Sequence, residues 1–138
     1  MSVQSPILIG WATASITPDV PAQLCGQYYE RISEGVRDPV TATALALETV
    51  AEDGAREQAV IVSCDLVMLP REIQERVRAR VAASLGDLDA GKLFLAATHT
   101  HTAPLPTDSG WYPAPPPGVI TVAEYQALLV ERVAGAIV

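Results

Sequence analysis

Short apolar segments separated by polar turns predict the strands of this chain. Residues 7–16 predict a first strand, which ends where Pro18 forces the preceding residue out of the helical region. Residues 40–50 alternate small or polar with apolar side chains, the period of a strand with one buried face. Residues 59–64 are almost continuously apolar, which is typical of a strand buried on both faces. The polar turn 52–57 separates the last two segments, so we expect an antiparallel hairpin.

Two amphipathic segments predict helices. The first has Pro70 as its first helical residue, and four-residue spacing places one apolar stripe at Ile73, Val77, Val81 and Leu85. Gly86 follows at the position where a left-handed residue commonly ends a helix. The second begins at Thr121, where Glu124 completes a capping box. Its apolar face consists of Tyr125, Leu128, Leu129, Val133 and Ile137.

The order of these elements predicts the fold class. Residues 92–97 form one more short apolar segment, so residues 59–97 predict a strand–helix–strand unit with a right-handed crossover and parallel strands. The predicted class is α/β: a mixed sheet with a βαβ unit and a preceding antiparallel hairpin, with helices packed on the sheet. The last helix runs to Val138 with few elements left to pack against. We therefore expect residues 1–138 to be a single, incomplete N-terminal α/β domain of a longer protein.

Composition narrows the classes of function. Of the 138 residues, 49% are apolar and 18% are charged, a balance typical of globular proteins. The net charge is −7 and Lys and Arg do not cluster, which argues against a nucleic-acid partner. No apolar stretch reaches the ~18 residues of a transmembrane segment, and the first residues lack the features of a signal peptide. We expect a soluble, cytoplasmic protein in which Cys25 and Cys64 are buried, reduced thiols.

The two histidines of the chain follow the last predicted strand, in Thr98-His99-Thr100-His101-Thr102. On an extended segment, side chains two residues apart project to the same face, so both imidazoles can approach one metal or one substrate. The β-branched Thr98 and Thr100 favour extended backbone and offer hydroxyls that can orient the rings.

Asp65 directly follows the third predicted strand. Ligands in open α/β sheets bind outside the carboxyl ends of the parallel strands, so we expect Asp65 and the histidines at one edge of the sheet. Asp65 is then a candidate metal ligand or a carboxylate that orients an imidazole. The alternative is that Asp65 caps the turn after the strand and that both rings form only local hydrogen bonds.

A proline-rich segment, residues 113–118, follows Trp111 and Tyr112 and must be a loop, because proline removes backbone donors and fixes φ. Two interpretations remain open: a stiff aromatic rim on a cleft beside the histidines, or a simple spacer before the last helix.

Five segments, in their order along the chain, resemble the amino-terminal region of the neutral/alkaline, non-lysosomal ceramidases. They are residues 10–18 (GWATASITP), 26–28 (GQY), 36–39 (VRDP), 62–66 (VSCDL) and 98–104 (THTHTAP). The resemblance implies the N-terminal part of a zinc-dependent hydrolase that cleaves an amide, either N-acylsphingosine or another small-molecule or lipid amide or ester. It also implies that His99 is a zinc ligand and that His101 lies beside the metal as a catalytic residue that polarises the reacting amide.

In that family two histidines, a glutamate and a tyrosine bind zinc, and the resemblance places the other three ligands and a serine nucleophile beyond Val138. It therefore implies an incomplete zinc site and no activity in the isolated chain. Thr102-Ala103-Pro104 replaces the serine and glycine-rich turn that is usual after the second histidine, which disfavours a long-chain ceramide substrate. Two alternatives remain: a non-catalytic binding or interaction module with structural histidines, and a different metallohydrolase in which both histidines and Asp65 bind one metal.

Overall fold

A mixed four-stranded sheet is the framework of the computed structural model, which describes residues 6–108 and 110–138. The strands are β1 (Ile7–Ser15), β2 (Thr41–Val50), β3 (Arg56–Cys64) and β4 (Leu93–Ala97), and they lie in the order β1-β2-β3-β4. β1 pairs with β2 and β2 with β3 in antiparallel fashion, whereas β3 and β4 are parallel. The predicted α/β class, the hairpin and the parallel pair are confirmed.

Two helices, α1 (Arg71–Ser84) and α2 (Val122–Ile137), pack on the same face of this sheet. Their predicted apolar stripes are buried, through Ile73, Val77 and Val81 of α1 and Tyr125, Leu129 and Val133 of α2. The predicted capping box starts α2: the Thr121 hydroxyl accepts a hydrogen bond from the backbone N–H of Glu124 at 3.2 Å, and the Glu124 carboxylate accepts one from the Thr121 N–H at 2.9 Å. Within the described residues, no helix is long and apolar enough to cross a membrane.

The core lies between the helices and one face of the sheet, so only alternate strand positions are buried. Ala42, Ala44, Val60, Val62 and Cys64 point toward the helices, whereas Ile61 and Ser63 are exposed. The prediction that the third strand is buried on both faces is therefore wrong for this chain, because no described element covers the opposite face.

That opposite face carries a row of large apolar side chains. The register places Trp11 of β1 opposite Leu45, Leu45 opposite Ile61, and Ile61 opposite Phe94 of β4. Directly paired residues project to the same side of a sheet. Trp11, Ile61 and Phe94 remain 77%, 45% and 58% exposed, so this face is apolar without being packed.

Apart from one-residue shifts at the ends of β1, β2 and β4, three predicted element boundaries differ from the structure. β3 begins at Arg56, inside the predicted turn, where the Arg56 guanidinium forms an ion pair with Glu48 of β2 at 2.9 Å. Pro70 is the residue before α1 and not its first helical residue; its φ of −58° suits either position. Gly86 is not left-handed. The backbone N–H of Leu85 bonds to the carbonyl of Val81 and closes the helix without such a residue.

The contrast between the two faces of the sheet predicts different costs for the same substitution. Leu129→Ala is expected to lower the free energy of unfolding by about 2–5 kcal/mol, because the Leu129 side chain has no exposed surface and its removal leaves a cavity. Ile9→Ala, on the open face of β1 at a position that is 60% exposed, is expected to cost about 1 kcal/mol or less. Urea unfolding followed by circular dichroism measures both, and equal losses would contradict this assignment of the core.

Cys64 is the last residue of β3 and belongs to the buried face. Burial raises the pKa of its thiol from 9.0 to about 12, and the charge of the neighbouring Asp65 adds to the increase. The folded chain therefore holds this proton more tightly than the unfolded chain does. The resulting stabilisation is complete below the unfolded pKa near 9 and is lost as the pH rises toward 12.

We expect the free energy of unfolding to fall by up to about 1.4 kcal/mol per pH unit between pH 9 and 10 on account of Cys64. Burial also raises the pKa of Cys25 and of Tyr125, so the informative quantity is the difference in slope between the parent chain and Cys64→Ala. Denaturant titrations at several pH values measure it. An unchanged slope in Cys64→Ala would show that this thiol ionises as freely in the folded chain as in the unfolded one.

Candidate functional site

The ends of β3 and β4 bring the candidate residues to one edge of the sheet. Cys64 pairs with Ala97, and the backbone N–H of Thr98 donates to the Cys64 carbonyl at 2.9 Å. Asp65 leaves β3 at this point, and His99 follows β4 by two residues. The topology therefore places the acid and the histidines at the same edge, as the strand–helix–strand pattern predicts.

His99 has a left-handed backbone, with φ of 65°, and is the one non-glycine residue with positive φ in the described part of the chain. The expectation that this segment is extended is wrong at His99. A non-glycine residue in this region stores backbone strain, and such strain clusters at functional sites. The turn directs the His99 ring toward the loop after β3.

A backbone carbonyl fixes the orientation of the His99 ring. Its Nδ1 lies 2.6 Å from the carbonyl oxygen of Val67. A carbonyl oxygen only accepts hydrogen bonds, so Nδ1 carries the proton and the neutral ring keeps the lone pair on Nε2. A bond of this kind on the far nitrogen is usual for histidines that bind a metal.

The Nε2 atoms of His99 and His101 face each other at 3.4 Å, with ring centroids 5.0 Å apart and ring planes at 73°. This separation is longer than an ordinary N–H···N hydrogen bond. Two nitrogen ligands of a tetrahedral zinc ion, each 2.0–2.1 Å from the metal, stand about 3.3–3.4 Å apart. Both residues are exposed, so the pair is open to a cation or to a small ligand.

Asp65 and the threonines form hydrogen bonds elsewhere. The Asp65 carboxylate accepts bonds from the backbone N–H and the hydroxyl of Thr41, at 2.9 and 2.8 Å. The hydroxyl oxygens of Thr100 and Thr102 lie 3.1 Å apart. The backbone carbonyl of Val67, and not a side chain, orients the His99 ring. The sequence does not predict this contact, because every residue type has a backbone carbonyl.

No group of three or more His, Cys, Asp or Glu side chains in residues 6–108 and 110–138 could hold a metal ion. The interpretation in which both histidines and Asp65 bind one metal is therefore not supported. The two imidazoles can line one side of a metal site, either as two ligands or as one ligand with a neighbouring donor, and the remaining ligands would have to come from outside the described residues.

The thiols are not available as nucleophiles at neutral pH. Cys25 and Cys64 are free and buried, as predicted, and burial raises the pKa of both. The thiolate is the reactive form of cysteine, so burial disfavours the reactive form of both residues.

The segment before β2 lies against His101. Gly26 has φ of 103°, and a Cβ atom there would stand 2.5 Å from Cγ of the His101 ring. The Arg31 guanidinium donates hydrogen bonds to the backbone carbonyls of His101 and Cys25. Residues 26–28 are among the segments of the family resemblance, but the sequence does not predict the contacts of Gly26 and Arg31 with His101, because contacts between distant loops produce no periodic pattern.

The proline-rich loop is tied to that same segment. The Tyr112 hydroxyl donates to the carbonyl of Gln27, and the Gln23 side-chain amide donates to the carbonyl of Pro113 at 2.9 Å. These bonds hold the loop beside the residues that contact His101 and favour a rim over a simple spacer.

Two exposed aromatic rings mark this rim. Tyr28 and Trp111 meet edge to face with centroids 5.9 Å apart, and they are 89% and 69% exposed. Tyr28 follows Gly26 by two residues, a backbone span of at most ~7 Å, so it belongs to the same turn that lies against His101. A groove of about 960 Å³ is lined in part by Arg31, Thr102 and Pro104, a size within the usual range of small-molecule sites.

Comparison with known proteins bears on the fold. No protein-family model matches the chain, and no curated protein matches its sequence. The crystal structure of neutral ceramidase from Pseudomonas aeruginosa superposes with a TM-score of 0.77 over 98% of this chain and 21% of that chain, at 20% identity. A structure of ceramidase complexed with C2 superposes with a TM-score of 0.76 over 96% of this chain and 20% of that chain, at 22% identity. The chain spans about a fifth of each solved protein and has the fold of a neutral ceramidase-like region.

Proposed function

We propose that this chain is the N-terminal α/β domain of a zinc-dependent hydrolase that cleaves an amide bond, and that it supplies one side of the metal site. The observation that carries the proposal is the pair of imidazole Nε2 atoms 3.4 Å apart, with the Nδ1 of His99 bonded to the Val67 carbonyl. The similarity in fold to neutral ceramidase supports the same class of reaction.

The donor set fits zinc on one side of the site. Neutral imidazole is a common zinc ligand, and the bond from His99 to the Val67 carbonyl supplies the outer contact that fixes the ring and raises its basicity. When bound, zinc supplies Lewis-acid polarisation of the reacting carbonyl and acidifies water. His99 holds the metal through Nε2 in this proposal.

His101 has a different role in the proposed reaction. Its Nε2 atom lies 3.4 Å from the His99 Nε2, the atom that would bind the metal. An N–H donor placed there can form a hydrogen bond to the negative charge that develops on the amide oxygen, and preorganised donors of this kind contribute strongly to catalysis. His101 is therefore the proposed catalytic residue of this segment.

The aromatic rim supports a substrate with an apolar part. Tyr28 and Trp111 present large apolar surfaces, Tyr28 from the turn that lies against His101. The bonds of Tyr112 and Gln23 tie the loop that carries Trp111 to the same turn. Exposed apolar surface in a protein commonly marks a binding site. A small-molecule or lipid amide is the substrate class that this surface favours.

The two histidines are expected to respond differently to substitution in the complete protein. His99→Ala should remove both zinc and turnover. His101→Ala should lower turnover by about 10²–10³-fold, the effect of losing one oxyanion donor, and should leave most of the zinc bound. Metal analysis by mass spectrometry and an amidase assay measure the two effects.

Thr100→Val is the matched control, because it removes a hydroxyl that contacts Thr102 and no ring nitrogen. It should leave zinc content and turnover near the parent values. If His101→Ala lost zinc and turnover to the same degree, the separate roles of the two histidines would be wrong. Full activity and full zinc content in His99→Ala would refute the proposed function as a whole.

The isolated 138-residue chain is expected to bind zinc weakly and to have no amidase activity, because a stable zinc site needs three or four ligands. Isothermal titration with zinc, repeated on His99→Ala, measures the affinity that depends on this ring. Turnover by the isolated chain would contradict the proposal that further groups complete the site.

A further inference from the structure

Arg31 joins two segments of the chain at the histidine site. Its Nη2 atom donates to the carbonyl oxygen of His101 at 2.5 Å and to that of Cys25 at 3.0 Å. The same two segments are paired by backbone, since the Cys25 N–H donates to the Ala103 carbonyl at 3.0 Å and Leu24 forms an antiparallel bridge with Pro104. The guanidinium therefore adds two side-chain bonds at the end of the pairing between residues 24–25 and 103–104, next to His101.

The Arg31 side chain combines favourable hydrogen bonds with one unfavourable feature, a buried donor without a partner in the described part of the chain. Hydrogen bonds from a guanidinium are charge-assisted and stronger than those between neutral groups. However, the Nε atom of Arg31 is buried and has no hydrogen-bond partner among the described residues. A buried donor that stays unpaired is unfavourable and calls for an explanation. The two carbonyl bonds, one of them on a candidate catalytic residue, supply that explanation.

Gly26, at the start of the turn that Arg31 ends, forms a wall beside the His101 ring. A Cβ atom at Gly26 would lie 2.5 Å from Cγ, 2.7 Å from Cβ and 2.8 Å from Nδ1 of His101. The Nδ1 edge of the His101 ring therefore packs against the backbone of Gly26. The Nε2 edge faces His99. Any outward shift of this turn would free the ring to rotate.

We propose that Arg31 is a positioning residue, which fixes the turn from Gly26 to Arg31 over His101 and so holds the His101 Nε2 against that of His99. This inference rests on the proposed function, in which the two rings act on one ligand. Arg31 itself acts through the backbone of His101 and not on the ligand.

The test uses Arg31→Met, Arg31→Lys and Gly26→Ala in the complete protein. Arg31→Met removes both carbonyl bonds, and Arg31→Lys keeps the charge without the planar fork that reaches two acceptors. Gly54→Ala is the matched control for Gly26→Ala, because Gly54 also has positive φ, 85°, and no atom lies within 4 Å of its added Cβ. The control separates backbone strain from contact with His101.

All three test variants are expected to lower kcat by about 10–100-fold, as for a misplaced catalytic group, with KM and zinc content nearly unchanged. Gly54→Ala should keep the parent kcat. In the His101→Ala background, Arg31→Met should cause no further loss, because the residue through which it acts is already absent. If the losses multiply in the double variant, or if Gly54→Ala behaves as Gly26→Ala does, the positioning role is wrong.

A second measurement keeps this test separate from the proposed function. If the complete protein has no amidase activity, the ring ¹⁵N NMR signals of the histidines in the 138-residue chain still report the geometry. Arg31→Met and Gly26→Ala should shift the signals of His101 and leave the Nδ1 signal of His99, the atom held by Val67. Unchanged His101 signals would overturn the inference. Should Arg31→Met fail to fold, Arg31→Lys and Gly26→Ala carry both measurements.

Discussion

The parallel pairing of β3 and β4 is the constraint on which the rest of this structure depends. Val60, Val62 and Leu93 hold the two strands against the helices, and the register between Cys64 and Ala97 makes both strands end together. Everything chemically distinctive about the chain follows from that common end. The loop after β3 contains the Val67 carbonyl and the loop after β4 contains the two imidazoles. The hydrogen bond between Val67 and His99 joins these loops beyond the end of the sheet.

Three segments then converge on a small volume around the rings. The carbonyl of Val67 sets the tautomer of His99, the backbone of Gly26 limits the rotation of His101, and Arg31 fastens the intervening turn. Each of these contacts uses the main chain of at least one partner. Main-chain groups are placed by the fold as a whole, so the geometry of the two rings is a property of the scaffold more than of the residues adjacent to them in sequence.

The same distinction explains how much the sequence alone can predict. The strands, both helices and the capping box follow from local periodicity and end signals, and the strand–helix–strand rule places the histidines at the correct edge. Burial of β3 on one face only depends on what covers Ile61, which no local pattern records. The left-handed backbone of His99 and the roles of Val67 and Arg31 arise from contacts between loops far apart in sequence, and such contacts have no period to detect.

The stretch between Pro106 and Thr121 is secured at both of its ends. The Gln126 side chain donates to the Pro106 carbonyl at 3.0 Å, and the hydrogen bonds of Thr121 to Glu124 start α2 independently of the residues before it. Loops anchored in this way accept changes of length at small entropic cost. Residues of this stretch can therefore change in number and type as long as the Tyr112 hydroxyl and the Pro113 carbonyl keep their bonds to the neighbouring turn. Such changes would alter the surface beside the histidine pair while the sheet keeps its register.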